Sequence, residues 1–164
     1  MTDFEALFAT LQRQHVAFIM VGGAAAIAHG SARVTYDLDI VYDRSAANLD
    51  RLVAALAPYK PYLRGAPPGL PFFWDRQTLA RGLNFTLVTS LGDIDLLGEI
   101  SGGGTYQDLL PGVVEVDMFG TQCHCLSLRQ LIRAKRAAGR PKDFEALAEL
   151  EAIQEEANPR QPDL

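Results

Sequence analysis

The stretch "VGGAAAIAHGSARVTYDLDIVYD", residues 21–43, joins two glycines at the end of an apolar run to two aspartates one residue apart. On a strand, alternation sends the carboxylates of Asp37 and Asp39 to one face while Leu38 and Ile40 turn to the opposite, buried face. Two anions side by side want a cation. A hard divalent ion such as Mg2+ takes oxygen ligands, commonly one or two carboxylates together with substrate phosphates. Gly22 and Gly23, between a strand and a short helix, let the backbone approach a phosphate closely and present helix N-terminal amides to it. The spacing therefore predicts carboxylates on the metal, amides on the phosphate, and a nucleoside triphosphate bridging the two.

Transfer chemistry at such a site gains from a third carboxylate, which ligates a second ion and accepts the proton of an attacking hydroxyl. "GDIDLL" supplies Asp93 and Asp95. Asp93 follows Gly92 and suits the turn, whereas Asp95 sits within the strand between apolar Ile94 and Leu96, so Asp95 is the expected third member. A D-x-D pair alone also decorates surface strands and serves glycosyltransferases that hold metal-bound sugar nucleotides. The glycine pair upstream and Asp95 downstream are what favour a triphosphate.

Periodicity supplies the elements that must position these residues. "DFEALFATLQRQ" has helical spacing of Phe4, Leu7, Phe8 and Leu11, and "VAFIMV" is a short β-rich run ending at the glycines. "AAAIAHG" predicts a short helix closed by Gly30, "DLDIVYD" a strand, and "SAANLDRLVAALAPY" a Ser-capped amphipathic helix. "LNFTLVTS" and "DIDLLGEI" read as strands about a Leu91-Gly92 turn, and "VVEVDMFG" and "CHCLS" as two more. "SLRQLIRAKRAAG" and "KDFEALAELEAIQEE" read as two short closing helices split at Gly139 to Pro141. "RGAPPGLPFFWDR" carries too much Pro and Gly for a regular element and too many aromatics for an inert linker. It is expected to pack on or lid something, with Phe72 to Trp74 either stacking a base or burying a core edge.

With 164 residues, 48% of them hydrophobic, the chain suits one globular domain over residues 1–157, followed by a disordered tail, 158–164. The start is acidic where a signal peptide would be basic, and no run is long enough for a membrane helix, so a cytoplasmic protein with no membrane association is expected. Cys123 and Cys125, one residue apart, read as reduced core cysteines on one strand face. A formal net charge of −5 argues against a general nucleic-acid coat. Yet Arg129, Arg133, Lys135, Arg136, Arg140 and Lys142 follow one another with no Asp or Glu among them. Arg129, Arg133 and Arg136 share a helical face, where like charges repel unless an anion or acidic partner lies opposite. His29 is expected to cap or pack the short helix rather than act as a base, and Arg33 either reaches a phosphate or solvates a loop. Asp143 suits a helix start, where the dipole favours an acid.

A glycine pair after a strand, thirteen intervening residues, D-x-D on the next strand and a third Asp on a later one resemble the polymerase-beta-type nucleotidyltransferases. The spacing is more similar to the AbiEii-like enzymes of bacterial toxin–antitoxin systems. That group also has a basic helix followed by a Lys-Asp pair, matched here by Lys135, Arg140, Lys142 and Asp143. The resemblance covers roughly residues 16–43, Asp95 and 127–150. Gly23 departs from the commonest Gly-Ser form and lacks its hydroxyl.

The resemblance implies an α/β (α+β) nucleotidyltransferase fold, a small mixed sheet flanked by helices. It implies that Asp37, Asp39 and Asp95 hold two Mg2+ ions, that Gly22 and Gly23 contact phosphate, and that Lys135 and Lys142 contact the nucleotide or acceptor. The implied activity moves a nucleoside monophosphate from an NTP to a hydroxyl of RNA, including tRNA, or of protein, with a cognate toxin or antitoxin as partner. Small-molecule adenylylation of the aminoglycoside type is a second enzymatic option. The competing class is a non-catalytic binding module of the same fold that docks a partner protein. Retention of all three acids argues against it, since an unused buried anion cluster is costly to keep charged.

Overall fold

In the computed structural model, which describes residues 1–158, the chain opens with helix α1 (Phe4–Arg13), strand β1 (Phe18–Val21), helix α2 (Gly22–Ala28) and strand β2 (Asp37–Tyr42). Helix α3 (Ala46–Leu56), strand β3 (Tyr62–Leu63), helix α4 (Arg76–Arg81) and strands β4 (Phe85–Thr89) and β5 (Gly92–Leu97) follow. The remainder is the small pair β6 (Glu99–Ile100) and β7 (Gly104–Thr105), helix α5 (Tyr106–Leu109), strands β8 (Val114–Met118) and β9 (Thr121–Cys125), and helices α6 (Leu128–Ala138) and α7 (Pro141–Ala157). Local chemistry sets several of these boundaries. Asp3 and Ser45 cap α1 and α3, Ser127 and Gln130 cap α6 reciprocally, and Gly139 ends α6 in the left-handed conformation.

Seven strands form one mixed sheet in the order β3-β4-β5-β2-β1-β9-β8, with β2–β5 and β1–β9 parallel and the other pairs antiparallel. The core joins the sheet to its helices: Leu38, Ile40, Ile94 and Leu96 are fully buried and cluster with Leu7 and Leu11 of α1 and Leu52 and Leu56 of α3. This is the expected α/β architecture.

Several details depart from the expected layout. Helix α2 begins at Gly22 itself, so both glycines belong to its first turn rather than to a connection before it. Strand β3, paired with β4, immediately precedes the Pro-rich aromatic segment, which leads into α4; periodicity shows neither element. Its aromatics bury a core edge: the Trp74 indole N–H donates to Val53 O at 3.0 Å, and Phe72 meets Tyr62 edge-on. Both pack on the core, and neither lines the acidic cleft described below. Phe72 and Trp74 thus take a packing role, whereas Phe73 between them is exposed. Helix α7 is the longest in the described chain at 17 residues, not the short element expected. Asn158 closes α7, and residues 159–164 of the expected tail lie outside the described residues.

Cys123 and Cys125 are free and buried, and burial raises their thiol pKa values to about 11 and about 12. Among the described residues no helix is long and apolar enough to cross a membrane.

Candidate active site

The register of the central strands assembles the acids. Parallel pairing of β2 with β5 sets Asp37 opposite Asp93 and Asp39 opposite Asp95, and residues directly opposite share a sheet face. Antiparallel pairing of β1 with β2 sets Val21 opposite Asp39, so the chain enters Gly22 beside that carboxylate. Asp37, Asp39 and Asp95 each offer an oxygen, and these oxygens lie within 4.8 Å of one another. All three predicted acids are therefore brought together, and Asp93 stands on the same face at the edge of the group.

Gly22 has φ +62°, and a Cβ there would fall on the Asp39 carboxylate. A Cβ on Gly23 would come within 2.6 Å of Thr35 Oγ1. Glycine is thus required twice: once for conformation and proximity to an acid, once for proximity to the loop before β2. Thr35 in turn donates to Asp37 O at 3.1 Å, fixing the entry to the strand.

Charge in the cluster is crowded in a way that a divalent cation would relieve. Burial first, then the neighbouring Asp37 and Asp95 charges, push the Asp39 pKa up to about 8, against an opposing pull from Lys135. Burial also raises Asp95, while Arg64 pulls it down. Hard oxygen donors, close spacing and an Asp95 Oδ1 that is buried without an aligned hydrogen bond among the described residues fit a divalent ion.

The acids floor an open cleft of about 750 Å³. Its other wall comes from α6 and α7, where Lys135, Arg140, Lys142 and Asp143 all border it, as does Arg33. Asp143 is buried, receiving Arg140 Nε at 2.7 Å and Lys135 Nζ at 3.2 Å. Those bonds, the Arg140 one foremost, hold its pKa down at about 2. The expected helix-start role of Asp143 holds, since it also caps α7 through Arg140 N. Arg33 is both a cleft residue and a loop tie, pairing with Glu145 at 3.4 Å and Glu149 at 3.8 Å. His29 closes α2, and its Nε2 lies 2.7 Å from Leu126 O, a packing role. Of the exposed Arg129, Arg133 and Arg136, Arg136 alone has an acidic partner among the described residues, Glu151 at 2.6 Å.

One central residue escaped sequence reasoning. Arg64, just after β3, reaches Asp95 at 2.9 Å, Asp93 at 3.3 Å and Asp37 at 3.7 Å. Its amide N bonds Thr86 O, and Thr86 is opposite Asp95, so Arg64 stands in the same row as Asp95 and Asp39. The signal was hidden because a two-residue strand leading into a Pro/Gly-rich segment shows no alternation.

No family model matches this sequence, and no curated protein matches it. Solved structures do share its fold. The lincosamide antibiotic adenylyltransferase LnuA, with lincomycin bound, matches at a TM-score of 0.58 and 17% identity over 93% of this chain and 98% of its own. A candidate nucleotidyltransferase from Thermotoga maritima, TM1012, matches at 0.56 and 15% identity, over 90% of this chain and 89% of its own. ANT(2")-Ia in complex with adenylyl-2"-tobramycin matches at 0.54 and 13% identity, over 92% and 91%. The chain has the nucleotidyltransferase fold.

Proposed function

We propose that this chain transfers a nucleoside monophosphate from an NTP to a hydroxyl, in the cleft between the acidic row and α6–α7. The observation that carries the proposal is the acidic row: Asp39 and Asp95 brought side by side on adjacent strands, Asp37 completing a three-carboxylate cluster, and Gly22, the first residue of α2, set against the Asp39 carboxylate. Asp37, Asp39 and Asp95 would hold divalent metal, two Mg2+ ions in the full site, which when bound neutralises triphosphate charge and polarises the phosphorus under attack. The amides of Gly22 and Gly23 lie along the cleft to receive a phosphate, and the absence of a Cβ at Gly22 keeps that approach clear of Asp39. Lys135, Lys142, Arg140 and Arg33 give the facing wall a positive field that draws and orients the polyphosphate. Asp95, at the acceptor side of the acidic row, would accept the proton of the acceptor hydroxyl at its carboxylate.

For the acceptor, the AbiEii-like spacing and Lys-Asp pair support an RNA or protein hydroxyl within a toxin–antitoxin pair. A small-molecule hydroxyl is supported by two antibiotic-modifying structures that share the fold and by the net charge of −5, which disfavours RNA at a distance. The test is transfer of label from each of four α-labelled NTPs, with Mg2+ or Mn2+, to tRNA, to protein, and to aminoglycoside and lincosamide acceptors. The expected result is a metal-dependent labelled product that Asp37→Ala/Asp39→Ala does not form. Metal-dependent nucleotide binding that the double variant retains would remove the acidic row from the site.

A further inference from the structure

Arg64 places a permanent cation where the proposed reaction needs a mobile one. Its guanidinium spans three carboxylates, those of Asp37, Asp93 and Asp95, and leaves Asp39 alone. Two features show that this is a loose charge contact rather than a locked fork. Nη2 directs its hydrogen bond to Leu87 O at 2.8 Å, and Asp95 Oδ1, though 2.9 Å from Nη2, has no aligned hydrogen bond among the described residues. Arg64 Nε is buried and likewise lacks one, although Asp93 Oδ2 is 3.3 Å away. Bidentate arginine–carboxylate pairs are strong because both N–H groups aim at both oxygens. Here they do not.

We propose that Arg64 is a resident counter-ion that competes with divalent metal for the Asp95 edge of the cluster, with Asp93 as the carboxylate that retains the guanidinium when metal enters. The inference rests on the metal–triphosphate reading given above. It explains why four carboxylates share one sheet face when three suffice for metal: Asp93 lies beyond the three-oxygen cluster yet touches the arginine. It also explains how an acid cluster open to a cleft is kept partly neutral before substrate arrives. A unit charge about 4 Å from a second cation opposes it by kilocalories at protein-like dielectric, so the guanidinium must shift outward for Asp95 to serve an ion fully. Leu87 O supplies the anchor about which it shifts. Arg64 is a positioning residue in this account, setting metal affinity without touching substrate.

The test is direct Mn2+ binding without nucleotide, read as free Mn2+ by electron paramagnetic resonance and checked by calorimetry on the intact chain. Arg64→Gln keeps a donor for Leu87 O and removes the charge, and it should bind Mn2+ about tenfold more tightly than wild type. Arg64→Lys keeps the charge but not the planar span from Asp93 to Asp95, and it should fall between the two. Asp93→Asn should weaken Mn2+ binding several-fold in the wild-type background and by less than twofold beside Arg64→Gln. Equal affinity in wild type, Arg64→Gln and Arg64→Lys overturns the competition, leaving Arg64 as a strand tie. If none of these proteins binds Mn2+ and Asp39→Asn behaves identically, the metal reading itself falls and the competition with it. Should Arg64→Gln not fold, the Arg64→Lys comparison and the Asp93→Asn weakening decide the question alone.

Discussion

Asp39 and Asp143 border the same cleft, and their surroundings drive the same side chain in opposite directions. Burial first, and then the crowding of Asp37 and Asp95, raises the Asp39 pKa to about 8. Asp143 is enclosed by Arg140 and Lys135, and its pKa falls to about 2. An acid whose charge is already satisfied holds structure together, whereas one crowded by its own kind gains from a cation. On the reading proposed above, the sheet wall would take the metal, while the helical wall both ties its own Asp143 and offers its cations to the polyphosphate. Substitutions that neutralise one acid on each wall should separate activity from stability.

The widest separation is expected at the sheet wall. Asp39→Asn removes a crowded charge, so the folded protein should unfold at the same or a slightly higher temperature while transfer falls on the order of a thousandfold, about 4 kcal/mol of barrier. Thermal unfolding and single-turnover label transfer on one preparation check both halves. Parallel loss of stability and activity would mean that Asp39 is structural and would erase the contrast with Asp143.

Gly22→Ala attacks the same wall through shape alone. The new Cβ meets the Asp39 carboxylate and the residue must hold φ +62°, so a stability loss of about 1–2 kcal/mol and a roughly hundredfold fall in transfer are expected. Gly23→Ala meets Thr35 Oγ1 at 2.6 Å and Thr35 Cβ at 2.8 Å, so the loop before β2 must shift, but it has no left-handed φ to hold and should be milder. Urea unfolding midpoints and kcat/KM for the pair measure the difference.

At the helical wall the order reverses. Asp143→Asn leaves Lys135 and Arg140 without their shared acceptor and should cost about 1–2 kcal/mol of stability, with a smaller effect on transfer. The sign with pH is set by the depressed pKa. Asp143 lies below its ordinary 3.8 in the folded state, so its contribution is complete above about pH 5 and is lost as pH falls through 3.8 toward 2. Urea unfolding from pH 6 down to pH 2 should show wild type and Asp143→Asn converging across that window. A constant gap between them would place the stabilisation elsewhere.

The sheet wall was far more legible in the sequence than the helical one, for a physical reason. Strand alternation converts a spacing of two into a shared face, so Asp37, Asp39 and Asp95 could be assigned before any register was known. Which strands pair, and in what register, was not legible: burial of Leu38, Ile40, Ile94 and Leu96 rules out a one-residue slip but not a slip of two, and only the parallel pairing of β2 with β5 sets Asp39 opposite Asp95. Lys135 and Lys142 belong to two helices, and only their packing turns both toward the cleft; composition marked the basic segment without saying which charges point inward. Arg129 and Arg133, equally conspicuous in sequence, stand exposed and do not border the cleft. Arg64 was invisible because its place depends on long-range pairing of β3 with β4 across a segment dominated by turn residues.

The two walls are joined by a smaller device whose loss should be felt least. Glu149 of α7 accepts from Ser31 Oγ at 2.5 Å and from Ala32 N at 3.3 Å, and pairs with Arg33, so the helical wall holds the loop that leads to Thr35 and Gly23. The Ser31 hydrogen bond, first among these contacts, lowers the Glu149 pKa, which keeps the clasp charged throughout the neutral range. Glu149→Ala should free residues 31–35 without touching the acids, raising KM for the nucleotide about threefold while kcat stays within twofold. Amide hydrogen exchange should quicken in that loop and remain slow in β2 and β5. A fall in kcat with unchanged KM would instead mean that the clasp aligns the acidic row through Thr35, and the helical wall would then be part of the chemistry rather than its frame.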